Sequence, residues 1–383
     1  MVPPDRLWPR RSALRLPLAV ASGLALGGCP GDRLSRTEDR RSAASLSPEK
    51  PEPTLVLDVA LVVADRGNHR IRRIEGSTVR TVAGSRPGME DATGADARFR
   101  FPFGVAVDRT GRVVVTDQGN DRVRVIAPDR VVTTVAGGMY GDVDGPGAGA
   151  GFRQPYGIEV DADGVIYVAD TFNHRIRSIA LDGTVATIAG STRGFADGPG
   201  GVARFDEPSD LAILEDGALV VADRANHRVR RGDPGGMVAT IAGRGVGDAD
   251  GRGVGVGFNR PTSVAVGPEG QLYVADVANH RIRRVEPDGR VETIAGSAPG
   301  FSDGVGSSAA FRFPCGVDVL PDGNLVVADR ENHRVRHIDR SGSVRTVAGS
   351  GEGFADGQVD RAKFSYPYAI AVDLSFTPRS GPR

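Results

Sequence analysis

The chain is predicted to be all-β and closed into a six-bladed β-propeller of four-stranded antiparallel blades. Three observations predict this. One unit recurs six times along the 383 residues. Each copy holds four short β-branched runs joined by turn residues. The two ends of the array supply complementary parts of a single unit.

The recurrence is plainest at Gln271–Arg284, which reads Q-L-Y-V-A-D-V-A-N-H-R-I-R-R. Its Asp276 has counterparts at Asp65, Asp117, Asp170, Asp223 and Asp329, spaced 52 residues apart for the first pair and 53 thereafter. A fixed period of that length means one supersecondary unit repeated. In the fifth copy the runs are Pro261–Val266, Gln271–Asp276, His280–Val285 and Val291–Gly296. Each is short, rich in β-branched residues and bounded by turn formers, which reads as strands a to d. Asp163-Gly164 and Asp322-Gly323 lie between a and b, and Asp182-Gly183 and Asp288-Gly289 between c and d. Asp-Gly supplies the positive φ angles that tight antiparallel connections need. Four antiparallel strands per repeat favour radial closure, which protects the sheet edges.

The ends show how the ring closes. No strand a precedes Leu61, whereas Pro367–Asp373 is a strand a with no strand b after it. The last strand therefore completes the first blade.

Composition narrows the class of function. Gly 53 and Pro 25 suit many turns, and the formal net charge is zero. No basic stripe stands out, so nucleic acid is not an expected partner. A monomer is expected.

The N-terminus reads as an address. Arg10, Arg11 and Arg15 precede an apolar run, Leu16 to Leu26, so residues 1–28 are expected to be a signal peptide. Pro9–Arg15 has a weak resemblance to a twin-arginine export motif. Leu26-Gly27-Gly28-Cys29 resembles the lipobox of bacterial lipoproteins, which implies acylation of Cys29 and an exported, membrane-anchored envelope protein. An ordinary cleaved signal is the alternative. Residues 29–53 are polar, with Pro51 and Pro53, and read as a flexible tether. The propeller is expected over 54–373, with a tail at 374–383.

The strand Leu-Tyr-Val-Ala-Asp followed by Asn-His-Arg-Ile, as at Leu272–Ile282, resembles the NHL repeat, and the likeness runs from Leu55 to Asp373. The resemblance implies a six-bladed propeller but no single activity. Its members include protein- and RNA-binding modules, extracellular sensor domains and an amidating lyase.

Strand parity puts the b–c turns and the long d–a links on one loop-rich face, where such scaffolds bind. One His per blade recurs (His69, His174, His227, His280, His333), with Asp121 in the second. Residues spread around a ring do not share an ion, so a structural role is expected, as it is for the paired arginines such as Arg281 and Arg283. The link aspartates (Asp91, Asp144, Asp197, Asp250, Asp303, Asp356) read as turn formers before they read as calcium ligands.

A single ligand site should appear where the blades differ. After the strand-a Pro stand Phe103, Tyr156, Ser209, Thr262, Cys315 and Tyr368. Glu159 and Asp318 replace the Ala of other blades, and Asp210 replaces Gly, Ser or Ala. The expectation is an acidic mouth of Glu159, Asp318 and Asp210, flanked by Phe103, Tyr156 and Tyr368, taking a cation, an amine, or Ca²⁺ or another divalent ion. The competing expectation is that each carboxylate caps a neighbouring strand. Cys315 is expected to pack rather than react. No catalytic residue and no metal ligand is assigned. The function expected is a non-catalytic binding module for a protein, glycan or small ligand on the loop-rich face; the alternative is a metal-dependent lyase or lactonase-like enzyme working at the channel.

Overall fold

The computed structural model describes residues 55–376; the signal segment, Cys29, the tether and the end of the tail lie outside the described residues. Six antiparallel sheets follow one another around an axis. The fifth holds strands Pro261–Val266, Leu272–Asp276, Arg281–Val285 and Arg290–Ala295, within one residue of the runs expected except at His280. His280 instead has φ 57° and ends the three-residue 3-10 turn Val277–Asn279. The first blade is built from Ala60–Asp65, Arg70–Glu75 and Thr78–Ala83, with Pro367–Asp373 as its inner strand. Leu61 faces Val372 and Val63 faces Ile370 across that antiparallel closure.

Four blades carry a fifth, two-residue strand at the outer edge. The link entering a blade supplies it: Gly304–Val305 pairs with Val344 and Ser343, and Gly357–Gln358 pairs with Val79 and Thr78. The four-stranded expectation is thus extended in these blades. An added edge strand shields N–H and C=O groups that strand d would otherwise present to water.

The recurring polar residues form one buried network per blade. In the fifth, Asp276 Oδ1 accepts from the Asn259 backbone N–H, and Oδ2 accepts from Asn279 and from Arg283 Nη1 at 2.8 Å. Arg283 Nη2 reaches the link residue Asp250 at 2.7 Å, and the guanidinium lies over the Phe258 ring. Arg72, Arg124, Arg177, Arg230, Arg283 and Arg336 are all fully buried. Burial pushes the carboxyls of Asp117, Asp170 and Asp223 up to about 6, while the arginine and N–H donors pull the other way, so they remain largely ionised at neutral pH. Each link aspartate pairs with the buried arginine of the blade it enters.

The histidines hold blade to blade. His69, His174, His227, His280 and His333 each accept, through Nδ1, the backbone N–H of the residue before the next blade's inner proline, at 3.0–3.2 Å. Asp121 Oδ1 does the same for Gln154 at 2.7 Å. The residue clamped has φ near 50° in every blade, a strained setting for a side-chain-bearing residue, and the clamp holds it there.

Candidate ligand-binding channel

The six inner strands run side by side around the axis, and their channel-facing side chains decide what fits there. They approach closely. A Cβ at Gly157 would lie 2.3 Å from Asp210 Oδ1, so only glycine serves where blades three and four meet. Within this wall is a cavity of about 860 Å³.

One end is shut. Phe103 stacks between Tyr156, with centroids 3.7 Å apart, and Tyr368, at 3.6 Å. Val277 and Cys315 complete the cluster, and Phe103, Tyr368 and Cys315 are buried. The three aromatics come from blades one to three, whereas blades four to six offer Ser209, Thr262 and Cys315. Large rings from one side lean across onto small residues on the other. The aromatic residues therefore do not flank an open mouth; they plug the channel at the loop-rich face. Cys315 Sγ donates to the Phe313 carbonyl, and burial pushes its thiol up, away from a reactive thiolate.

The other end carries the a–b turns, and Asp108, Asp161, Asp163 and Glu215 line the cavity there. The cavity thus reaches the face opposite the long links.

Glu159, Asp210 and Asp318 all line the cavity between these ends. Two of them are tied to the next blade. Asp210 Oδ2 accepts from the Val264 N–H at 3.2 Å, and Asp318 Oδ2 from the Val372 N–H at 2.7 Å. Asp318 Oδ1 also takes the Val319 N–H at 2.7 Å. These carboxylates satisfy backbone donors between inner strands, as Ser263 Oγ does for the Val317 N–H. Glu159 differs. One methylene longer, it folds back on its own Val160 N–H at 3.0 Å and is hydrogen-bonded to no other blade.

Electrostatics set the three apart. Burial pushes Glu159 up to about 8, helped by the charges of Asp318 and Asp210. Burial likewise takes Asp210 to about 7 and Asp318 to about 6. At neutral pH Glu159 therefore holds a proton while Asp318 is mostly ionised. Val105, Ile158, Leu211 and Ile370 border the cavity but are buried in the packing between blades, so the surface left to a ligand is as much polar as apolar. Among the described residues, no three His, Cys, Asp or Glu side chains come together to hold a metal ion.

Comparison with known proteins agrees with this architecture. The NHL repeat model matches residues 99–126, 152–177, 205–231, 258–285 and 311–338. NHL repeat-containing protein 2 of Bos taurus is 29% identical over 326 residues, covering 73% of this chain and 44% of the relative. The chain thus spans less than half the length of that relative. A structural genomics protein of unknown function from Bacteroides thetaiotaomicron superposes with a TM-score of 0.59 at 23% identity, covering 79% of this chain and 76% of the other. An auxiliary nutrient binding protein from the same species gives a TM-score of 0.55 at 17% identity, covering 73% and 64%. At these identities the structural likeness concerns the fold alone.

Proposed function

The chain belongs to the NHL-repeat family, and from that premise we propose that it is a non-catalytic binding module of the bacterial cell envelope whose channel takes a small organic cation. The observation that carries this reading is the cavity itself. It is about 860 Å³, closed at one end by the aromatic cluster and furnished with three carboxylates from three blades. Ligand sites are commonly concave and of several hundred Å³, with a few polar groups that fix orientation. An ammonium group among Glu159, Asp210 and Asp318 would replace the proton that burial puts on Glu159.

Three further points favour binding over chemistry. The five recurring histidines spend Nδ1 on backbone N–H groups. The thiol of Cys315 sits in the plug. The carboxylates do not gather as a metal cluster among the described residues. Envelope placement rests on the resemblance of Leu26–Cys29 to a lipobox, in residues outside those described; the anchor would be acylated Cys29 and the tether that follows.

Calorimetric titration with choline, phenethylamine and Ca²⁺ tests the reading. An amine should bind saturably to the wild type and at least about tenfold more weakly to Glu159→Gln. Gln and Asn are the right replacements, because Ala at 318 or 210 would also strip an acceptor from Val372 or Val264. No binding of either amine, or equal binding by the variant, sinks the proposal. Stoichiometric Ca²⁺ binding would favour the metal-dependent lyase or lactonase-like alternative.

A further inference from the structure

Two columns of side chains on the loop-rich face break the six-fold pattern together. The residue after the link glycine is Phe301, Phe354 and Met89 for blades six, one and two. The clamped left-handed residue before the inner proline is Phe313, Tyr366 and Phe101 in the same three blades. The corresponding pairs are Asp142 with Gln154 in blade three, Asp248 with Arg260 in blade five and Phe195 with Glu207 in blade four, so only blades six, one and two are apolar in both columns. Blades six, one and two are consecutive, so one half of this face carries two concentric arcs of apolar side chains. Phe301 is 49% exposed, Phe354 46%, Met89 51%, Phe101 39% and Tyr366 38%. Exposed apolar side chains gathered on one half of a face mark an interaction site more than isolated ones do.

The charge at these positions varies too. In blades three and five the outer arginine is neutralised, Arg175 by Asp142 at 3.0 Å and Arg281 by Asp248 at 3.1 Å. In blades six, one and four its equivalents lie on rings instead, Arg334 over Phe301 at 4.1 Å, Arg70 over Phe354 at 4.0 Å and Arg228 over Phe195 at 3.9 Å, but in blade four Glu207 supplies a carboxylate nearby, paired with Arg224. The polar contacts of Arg70 and Arg334 are to backbone carbonyls. Arg66 lies over Phe101 at 4.9 Å and bonds only to the Gln118 side-chain oxygen. Among the described residues, Arg66, Arg70 and Arg334 thus have no carboxylate within ion-pair distance, and each guanidinium lies over a ring. Arginine so placed can still offer paired N–H groups to an incoming carboxylate. Aromatic and arginine side chains are also the types that dominate interface energetics.

We propose that this half-face docks a protein segment presenting acidic side chains between apolar ones. The rings take the apolar side chains, and Arg66, Arg70 and Arg334 take the carboxylates. The site is independent of the channel, which opens on the opposite face, so neither reading depends on the other.

The test uses the whole chain and a fluorescein-labelled peptide alternating Glu with Trp or Leu, beside a counterpart with Lys for Glu. Fluorescence anisotropy should show saturable binding of the Glu peptide, weakened as salt is raised, and little binding of the Lys peptide. Phe301→Ser with Phe354→Ser should weaken it at least about tenfold. Arg70→Gln with Arg334→Gln, which keeps the rings, should narrow the gap between the two peptides. Arg260→Ser, in the polar half, should leave affinity unchanged. Equal binding of both peptides, undiminished binding by the ring variant, or no binding overturns the proposal. So does a dimer in sedimentation that the ring variant abolishes, which would make a second copy the occupant. Capture by phosphatidylglycerol vesicles, lost in the ring variant, would make it a membrane.

Discussion

His280 Nδ1 accepts the backbone N–H of Phe313 at 3.0 Å, joining the end of one blade's turn to the start of the next blade's inner strand. The bond requires that nitrogen to be unprotonated. Burial lowers the affinity of all five clamp histidines for a proton. Around His280, Arg312 and Arg330 push the same way and Glu331 opposes them. A folded value below the unfolded one, about 6.5, contributes stability that is full above that pH and lost as pH falls through the lowered value. His280→Asn should therefore be close to wild type at pH 7.5 and relatively more stable at pH 5.5. His280→Ala should cost about 1 kcal/mol at pH 7.5 by leaving the Phe313 N–H without its partner. Urea midpoints of the three proteins at both pH values check this, and a pH-independent difference between Asn and wild type would refute the clamp.

The two arginines of each pair should behave differently although they are equally recurrent. Arg283 is fully buried and bridges Asp276 and Asp250. Arg283→Met leaves the Asp276 charge buried with its main partner gone, which should cost about 3–5 kcal/mol. Arg281 pairs at the surface with an exposed Asp248, and Arg281→Met should cost under about 1 kcal/mol. Chemical unfolding of the two variants reads the contrast directly. Similar losses would mean that the buried network is not what holds the blade.

Closure by Pro367–Asp373 gives a third outcome. That strand covers the inner edge of Ala60–Asp65, and nearby the Ser365 N–H bonds to Asp65 Oδ1 at 2.8 Å. A chain ending at Tyr366 would present Leu61 and Val63 on an open strand edge, a template for pairing with another chain. Size-exclusion chromatography should show larger aggregates than the full chain forms, and near-UV dichroism should weaken. A truncated chain that elutes as the full chain does, with native dichroism, would mean the ring does not need its closing strand.

Much of this molecule could be read from its sequence because repetition averages out local ambiguity. Asp-Gly turns, the spacing of Asp276 and its equivalents, and the unpaired Pro367–Asp373 strand all pointed to one ring. The same repetition singled out Glu159, Asp210 and Asp318 as breaks in the pattern, and the three do line one cavity. What stayed hidden depends on distances across the axis, which no single repeat encodes. Phe103 can plug the channel only because Tyr156 and Tyr368 reach it from neighbouring blades and Cys315 leaves room opposite. The short edge strands were hidden for another reason, since two residues carry no period. The aromatic half-face was within reach, because Phe101, Phe313 and Tyr366 also break a repeating column.

The channel carboxyls should make acid stabilising where the clamp histidines make it destabilising. Glu159 is raised to about 8, Asp210 to about 7 and Asp318 to about 6, each chiefly by burial. A carboxyl whose folded value lies above its unfolded value binds more protons when folded. Its contribution is full below about pH 4 and is lost as pH rises through the folded value. The window for these three groups is therefore roughly pH 4 to 8. Glu159→Gln removes the largest of these losses without emptying the space. It should be more stable than wild type by at least about 1 kcal/mol at pH 8.5, and the difference should shrink towards pH 5. Channel water screens the group, so the gain should fall short of the full shift. A bound amine should act in the opposite sense, because it stabilises the ionised form; its affinity for the wild type should rise between pH 6 and 8 with release of a proton. Thermal midpoints of wild type and Glu159→Gln across that range, with and without choline, separate the effects. A variant that is less stable than wild type at pH 8.5 would show that Glu159 is an ionised structural carboxylate, and the channel would lose its claim as the ligand site.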